Sequence, residues 1–272
     1  MTKTCAALLN KVRENKPLVH HITNYVTVND CANITLGIGA SPVMADAIGE
    51  AADITAIASS LVLNMGTLNE RTIPSMIAAG KAANVKGIPV VFDPVGAGAS
   101  KLRNDTALQI ISEVKLSVLR GNISEIKFIA GLNSETKGVD ASESDMADTE
   151  NAGQLAKQLA QKLACVVVIS GAVDTISDGS KTVFIENGHA MLGNLTGTGC
   201  MCSSLIGCFC GAAAEQVFAA AIAAMICMGI AGEQAFEKTG RLGNGSFRTA
   251  LLDAVSLMNA DSLEKLAKIR EA

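Results

Sequence analysis

The 272-residue chain contains no tryptophan, one tyrosine and only 3% aromatic residues in all. Surfaces that hold single-stranded nucleic acid stack bases on aromatic rings set among Lys and Arg, and this sequence offers neither the rings nor a basic run. Its 22 Lys and Arg are outnumbered by 26 Asp and Glu, for a net charge of −4. No nucleic-acid partner is expected, because nothing supplies the electrostatic footprint that phosphate backbones require. Charged residues make up only 18% of the chain, too few for a strongly charged surface of either sign.

Further absences narrow the fold. No G-x-x-x-x-G-K-[ST] segment occurs, and neither Gly96-Ala97-Gly98 nor Gly197-Thr198-Gly199 completes G-x-G-x-x-G. P-loop and dinucleotide-binding folds are therefore not expected, and a bound phosphate would need a different cradle. The eight cysteines show no paired C-x-x-C spacing with histidines nearby, so reduced and mostly buried thiols are the default. Cys200 with Cys202, and Cys208 with Cys210, are C-x-C pairs inside a predicted helix. Alternate helical residues point about 200° apart, so neither pair can easily share a metal.

Where a leader peptide would carry an apolar stretch, Lys11, Arg13, Glu14 and Lys16 intervene, which makes the cytosol the expected location. The apolar segment 201–230 is interrupted by Glu215 and Gln216. It reads as two consecutive buried helices and not as a membrane span.

What is present is a chain 49% hydrophobic with 25 glycines and no linker-like stretch. One domain spanning 1–272 is expected, with a generous core. Short Val/Ile-rich runs at 18–23, 42–45, 58–65, 89–93, 117–120 and 166–170 alternate with helical periods such as 72–85, 105–115 and 150–164. That alternation predicts an α/β fold with a parallel sheet covered on both faces. Segments 174–177 and 182–186 flank Asp178-Gly179-Ser180 and predict an antiparallel hairpin extending the sheet; only helices are expected beyond it. Ligands of open parallel sheets sit past the carboxyl ends of the strands. Asn24, Met44, Asn64 with Gly66, Asp93, Arg120 with Asn122, and Ser170 all lie there.

The stretch Asn194-Leu195-Thr196-Gly197-Thr198-Gly199-Cys200 runs into about thirty small and apolar residues. Glycines bring bare amides against an anion, and the following helix points its positive end at the same spot, which makes a phosphate cradle. Ordinary capping of a helix by Thr and Gly fits the same residues. Asp93 ends a strand before a Gly-rich turn, where it can orient hydrated Mg²⁺ or satisfy turn amides. Arg120 can fork onto a phosphate. Glu125 can bind a metal-bound water or close a capping box with Asn122, and the two roles are compatible. His20 and His21 face opposite sides of one strand, and neither is assigned a catalytic part; His189 is read as a surface or packing residue.

Taken in order, His20-His21-Ile22-Thr23-Asn24, Gly39 to Ala45, Leu63 to Thr67, Asp93-Pro94-Val95-Gly96-Ala97-Gly98, Arg120-Gly121-Asn122-x-x-Glu125, Ser170-Gly171, Thr196 to Cys200 and Gly245-Ser246-Phe247 resemble hydroxyethylthiazole kinases. The resemblance spans nearly the whole chain. It implies a three-layer αβα ribokinase-like fold, ATP as co-substrate, Mg²⁺, and phosphorylation of the alcohol of 5-(2-hydroxyethyl)-4-methylthiazole in thiamine salvage. It further implies that Arg120 and Ser170 contact ATP; Thr196 and Gly199 of the loop are assigned to ATP with them, and Asp93 and Glu125 to the metal on their own chemistry. Met44 and Gly197 would contact the thiazole, with Asn24, Asn64 and Gly66 shaping the same pocket. Members are similar in assembling as trimers, with the thiazole near a subunit boundary.

Cys200 stands where many ribokinase-like sugar kinases place an aspartate base. A neutral thiol, with a free pKa of about 8.5, is a poorer base than a carboxylate unless the helix start and the loop amides lower it, so Cys200 is given the catalytic position with a modest contribution; a small helix-capping hydrophobe is the other reading. Alternatives for the whole are a hydroxymethylpyrimidine kinase, an ATP-dependent dehydratase of hydrated nicotinamide nucleotides, or a non-catalytic thiazole- or nucleotide-binding protein. The segments Ser41-Pro42-Val43-Met44 and His20-His21-Ile22-Thr23-Asn24, with cysteine at position 200, disfavour the first two, and intact Asp93, Arg120 and Glu125 disfavour the last.

Overall fold

The computed structural model describes residues 1–132 and 149–272 in full and, between them, the backbone of 136–137 and 140–141. In chain order its elements are α1 (Thr2–Asn15), β1 (Leu18–Ile22), α2 (Val28–Ile38), β2 (Ser41–Met44), α3 (Ala51–Ile57), β3 (Ser60–Asn64), α4 (Thr72–Lys86), β4 (Val90–Asp93), α5 (Lys101–Glu113), β5 (Val118–Asn122) and α6 (Ile123–Ala130). The short strands β6 (Thr136–Lys137) and β7 (Asp140–Ala141) pair with each other, and α7 (Thr149–Leu163) follows. The chain continues with β8 (Val166–Ser170), β9 (Asp174–Ser177), β10 (Thr182–Ile185), a 3₁₀ turn (Ala190–Asn194), α8 (Thr198–Ala212), α9 (Val217–Thr239), α10 (Asn244–Leu257), α11 (Ala260–Leu266) and β11 (Ile269–Glu271).

Among the described residues the main sheet has nine strands in the order β11-β10-β9-β8-β5-β4-β3-β1-β2. The strands β2, β1, β3, β4, β5 and β8 are parallel, as the alternating pattern predicts. Successive side chains of each strand feed opposite faces. Val91 packs among residues of α1, α2, α8, α9 and α10, whereas its neighbours Val90 and Phe92 pack among those of α4, α5, α6 and α7. Two apolar cores on either side of one sheet make the fold a three-layer αβα sandwich.

The hairpin forms as expected, with Thr182 opposite Ser177 and a turn in which Asp178 Oδ1 accepts the Ser180 and Lys181 amides. The expectation of helices alone after it is corrected by β11, which pairs antiparallel with β10. That last strand covers an edge that would otherwise expose unpaired amides, and Arg270 lies 4.2 Å above the Phe184 ring. Segment 117–120 extends to Asn122, and α6 begins directly at Ile123 because Asn122 and Glu125 form a reciprocal capping box. Helix α5 starts at Lys101, four residues earlier than its apolar period shows, where the Ser100 side chain caps it.

Segment 201–230 does form two helices, α8 and α9, divided at Ala213 and a short 3₁₀ turn. By length and composition alone the second could cross a membrane. Here its buried positions, from Ala220 through Gly232, pack within the core beside α8 and α10.

Candidate active site

The parallel strands end on one rim, and this brings together side chains far apart in sequence. Asp93, the last residue of β4, is wholly buried. Its Oδ2 accepts from Ser203 Oγ at 2.7 Å, Asn64 Nδ2 at 2.9 Å and Arg120 Nη1 at 3.4 Å. Its Oδ1 has no partner. Burial pushes the Asp93 carboxyl up from its ordinary value, against the pull of the Arg120 guanidinium and of the Ser203 and Asn64 donors.

Arg120, in β5, is 9% exposed. Burial opposes its charge, but Asp93 beside it holds its pKa above the usual arginine value. Its Nη2 donates to Ser170 Oγ at 2.7 Å, and its Nε is buried without a partner. Glu125 accepts the Gly96 amide on Oε1 and the Asn122 amide on Oε2, both at 2.8 Å. Burial and the neighbouring Asp93 charge push it up to about 7, against those two amides.

Helix α8 begins over this group. Gly197 precedes it at φ +90 and provides no side-chain cap. The Thr198 hydroxyl bonds the carbonyls of Leu192 and Leu195 and leaves the helix-start amides alone. The capping reading of this loop is therefore weaker than the anion-cradle reading. Cys200 is half-buried in the first turn, and its Sγ lies 3.2 Å from Asn24 Nδ2 and 3.3 Å from Asn64 Nδ2. Burial and the Asp93 charge raise the thiol pKa further, against hydrogen bonds from Thr27 and Asn24.

Asn24 and Asn64 are thus turned inward. The Asn24 amide also reaches Asn64 Oδ1 at 2.9 Å, and that oxygen accepts the Gly66 amide. A cavity of about 150 Å³ opens beside the pair, with Tyr25, Val28, Leu68 and Met76 along its walls. The structure therefore gathers Asn24, Asn64, Gly66, Asp93, Arg120, Glu125, Ser170, Gly199 and Cys200. Met44 ends the edge strand β2 on the same rim, half-buried and two residues before Asp46, which lines that cavity, and Thr196 is exposed before α8.

His20 and His21 diverge as expected. The His20 ring bonds Thr55 Oγ1 and the Ala45 carbonyl, each at 2.8 Å. His189 stacks on Phe236 with ring centroids 3.6 Å apart.

Three contributors escape the sequence reading. Ser203 holds Asp93, and the signal for it is its position one helical turn after Gly199. Thr27 donates its amide and hydroxyl to Asn24 Oδ1, three residues on, at the spacing by which Asn side chains take up a backbone amide at a helix start. Arg103 donates to the carbonyls of Met65, Gly66 and Val95, which no local pattern announces.

The donor set suits a hard divalent cation. Among the described residues no three His, Cys, Asp or Glu side chains converge as a closed cage. Two buried carboxylates, one with an unpartnered oxygen, instead match the one-or-two-carboxylate habit of Mg²⁺, whose remaining positions go to water and phosphate oxygens.

The profile of the hydroxyethylthiazole kinase family matches residues 9–261. A hydroxyethylthiazole kinase of Clostridium beijerinckii is 62% identical over 266 residues, covering 97% of this chain and 96% of that protein. One from Ruminiclostridium cellulolyticum is 58% identical, covering 99% and 98%. The solved structure of a hydroxyethylthiazole kinase protein from Pyrococcus horikoshii superposes with a TM-score of 0.89 at 38% identity, over 98% of both chains. A pyridoxal kinase from Staphylococcus aureus in complex with ADP shares the fold, with a TM-score of 0.64 at 14% identity over 94% of this chain and 99% of that one.

Proposed function

This chain belongs to the hydroxyethylthiazole kinase family and is a kinase of ribokinase-like fold, and we propose that it moves the γ-phosphoryl group of ATP to the alcohol of 5-(2-hydroxyethyl)-4-methylthiazole in thiamine salvage. The observation that carries this reading is the convergence of Asp93, Arg120 and the uncapped start of α8 around Cys200.

The alcohol oxygen attacks the γ-phosphorus, the bond to the β–γ bridging oxygen breaks, and ADP departs. Amides at the start of α8 receive charge building on the transferred group, and the buried Arg120 guanidinium neutralises it without leaving Ser170. When bound, Mg²⁺ held by Asp93 and Glu125 would offset the phosphate charge. The hydroxyl proton would pass to Cys200 in its thiolate form, a minor fraction because burial and the Asp93 charge raise the thiol pKa, and the amides of Asn24 and Asn64, which point at its sulfur, would stabilise that thiolate. Because most of the acceleration in phosphoryl transfer comes from positioning and charge neutralisation, a raised thiol pKa is tolerable.

Asn24, Asn64 and Gly66 form the inner wall of the alcohol pocket, with Gly197 and Met44 towards the thiazole ring. Arg120, Ser170, Thr196 and Gly199 face ATP. The exposed Tyr25 and Val26, 77% and 57% accessible, and the half-exposed edge strand carrying Met44 leave a surface for a subunit boundary near the ring, and a homotrimer is the assembly that the family resemblance implies. A cytosolic location and one domain over 1–272 complete the reading.

The test is to incubate the protein with MgATP and, separately, hydroxyethylthiazole, hydroxymethylpyrimidine or ribose while following ADP release. Turnover with the thiazole alone is expected. Turnover only with the pyrimidine overturns the substrate, and full activity after EDTA overturns the metal roles of Asp93 and Glu125.

A further inference from the structure

We propose that Arg103 is a positioning residue that fixes the β3–α4 turn against the β4–α5 turn and thereby sets the alignment of acceptor and donor. This rests on the kinase reading above. Arg103 is the third residue of α5, and its guanidinium leaves the helix to reach three backbone carbonyls. Nη1 donates to Met65 and, at 2.6 Å, to Val95, while Nη2 donates to Gly66. Two of these carbonyls belong to one turn and the third to the other, so the planar fork spans the gap between them.

Each turn carries one half of the chemistry. On the β3 side, the Gly66 amide donates to Asn64 Oδ1 and so orients the Asn64 amide, which contacts both Asp93 and Cys200. On the β4 side, the Gly96 amide holds Glu125. A Cβ on Gly66 would stand 2.6 Å from the Asn24 side chain, and one on Gly96 would stand 3.1 Å from Arg103 Cδ. Both turns are thus packed so closely on their partners that a shift of either is felt at the site.

Stability of α5 does not explain the residue. A cation in the first turn opposes the helix macrodipole, and α5 has no acid there to compensate. Partial burial also lowers the Arg103 pKa, with only Glu125 acting against it. The return lies in the three carbonyls that the guanidinium joins. Each substrate can still bind to its own side when the fork is lost, but the two no longer meet at the right distance. Misplacements of about 1 Å cost on the order of 100-fold in rate.

The experiment uses the full chain with Arg103→Lys and Arg103→Met, kcat being expressed per site that binds ADP so that misfolded protein is not counted. Arg103→Met should lose about 100-fold in kcat while KM for ATP and for hydroxyethylthiazole stays within about threefold. Arg103→Lys, which keeps the charge but not the fork, should fall between. Hydrogen exchange read by mass spectrometry should show the amides of 64–69 and 95–99 exchanging about tenfold faster together in Arg103→Met, with the rest of the chain unchanged. A kcat per competent site within threefold of the parent, a rise in KM alone, or unchanged exchange in both turns overturns the proposal. If the parent protein itself fails to phosphorylate hydroxyethylthiazole, the substrate reading falls instead, and the exchange measurement still decides whether the fork holds the turns.

Discussion

Gly199 and Arg120 lie against each other, and a Cβ added at Gly199 would stand 2.6 Å from Arg120 Nη1. Residue 199 is inside α8, where alanine normally stabilises by about 1 kcal/mol relative to glycine. Here the guanidinium has nowhere to retreat, because Asp93 and Ser170 hold its two terminal nitrogens. The glycine is therefore kept for the close approach of a cation to a helix start, and not for a turn.

Gly199→Ala should accordingly lower kcat/KM by about 100-fold, about 2.7 kcal/mol of transition-state stabilisation, and also lower the melting temperature, since the new Cβ overpacks a guanidinium held at both ends. Steady-state kinetics beside a thermal melt decides it. Parent-like kinetics would mean that Arg120 moves freely, and that its placement under α8 carries no catalytic weight.

The ranking of three alanine variants measures how the barrier is lowered. Cys200→Ala should retain measurable turnover, since burial raises the thiol pKa and keeps the group mostly protonated, so that little base is lost with it. Asp93→Ala and Arg120→Ala should each lose more, because each strips charge from a buried pair and leaves the other member uncompensated. An inverted order, with Cys200→Ala the most damaged, would make the thiol the principal catalytic group.

How far the sequence reveals this arrangement depends on the range of the interaction. Alternation and strand-end polarity expose the six parallel strands and place Asn24, Asn64, Asp93, Arg120 and Ser170 on one rim, because those signals are local and periodic. The Asn122/Glu125 box was legible for the same reason. The direction in which Asn24 and Asn64 point was not legible, since it depends on Cys200 more than a hundred residues away. Likewise the three residues of β11 carry too short a pattern to stand out, and their strand character comes from the edge of β10 that they complete. Arg103 reads locally as a surface cation on a helix, and only the tertiary fold gives it carbonyls to hold.

Stability should depend on acid through His21. Its ring is 1% exposed, with Nδ1 on the Val19 carbonyl at 3.1 Å and Nε2 without a partner. Burial lowers its pKa from 6.5 to about 4, so the unfolded chain takes up this proton first. The stability it contributes is complete above pH 6.5 and is lost as pH falls towards 4. Between pH 8 and pH 4.5 the parent should lose about 2.5 kcal/mol more than His21→Leu in urea unfolding. Glu125 and Asp174, both raised to about 7, act with the opposite sign in both proteins and cancel in the comparison. Parallel curves for the two proteins would show that His21 is charged in the fold.

Gly207 sets how closely α8 lies on the sheet. A Cβ there would stand 2.5 Å from Val62 Cγ2 and 3.2 Å from Val19 Cγ1, and both valines are buried in strands that cannot yield. Ser60 Oγ donates to the Gly207 carbonyl at 2.7 Å, which pins the helix at that height. Gly207→Ala should gain about 1 kcal/mol in helix propensity and lose about 2–3 kcal/mol to overpacking. The net loss of about 1–2 kcal/mol corresponds to a melting temperature about 3–6 °C lower. Val62 lies two residues before Asn64, so lifting α8 should also disturb the Asn64 amide between Asp93 and Cys200 and reduce kcat. Combining Gly207→Ala with Val62→Ala should recover part of both losses, because the removed methyl groups are those the new Cβ meets. Strict additivity of the two substitutions, in melting temperature and in kcat alike, would separate the height of α8 from the alignment of the site.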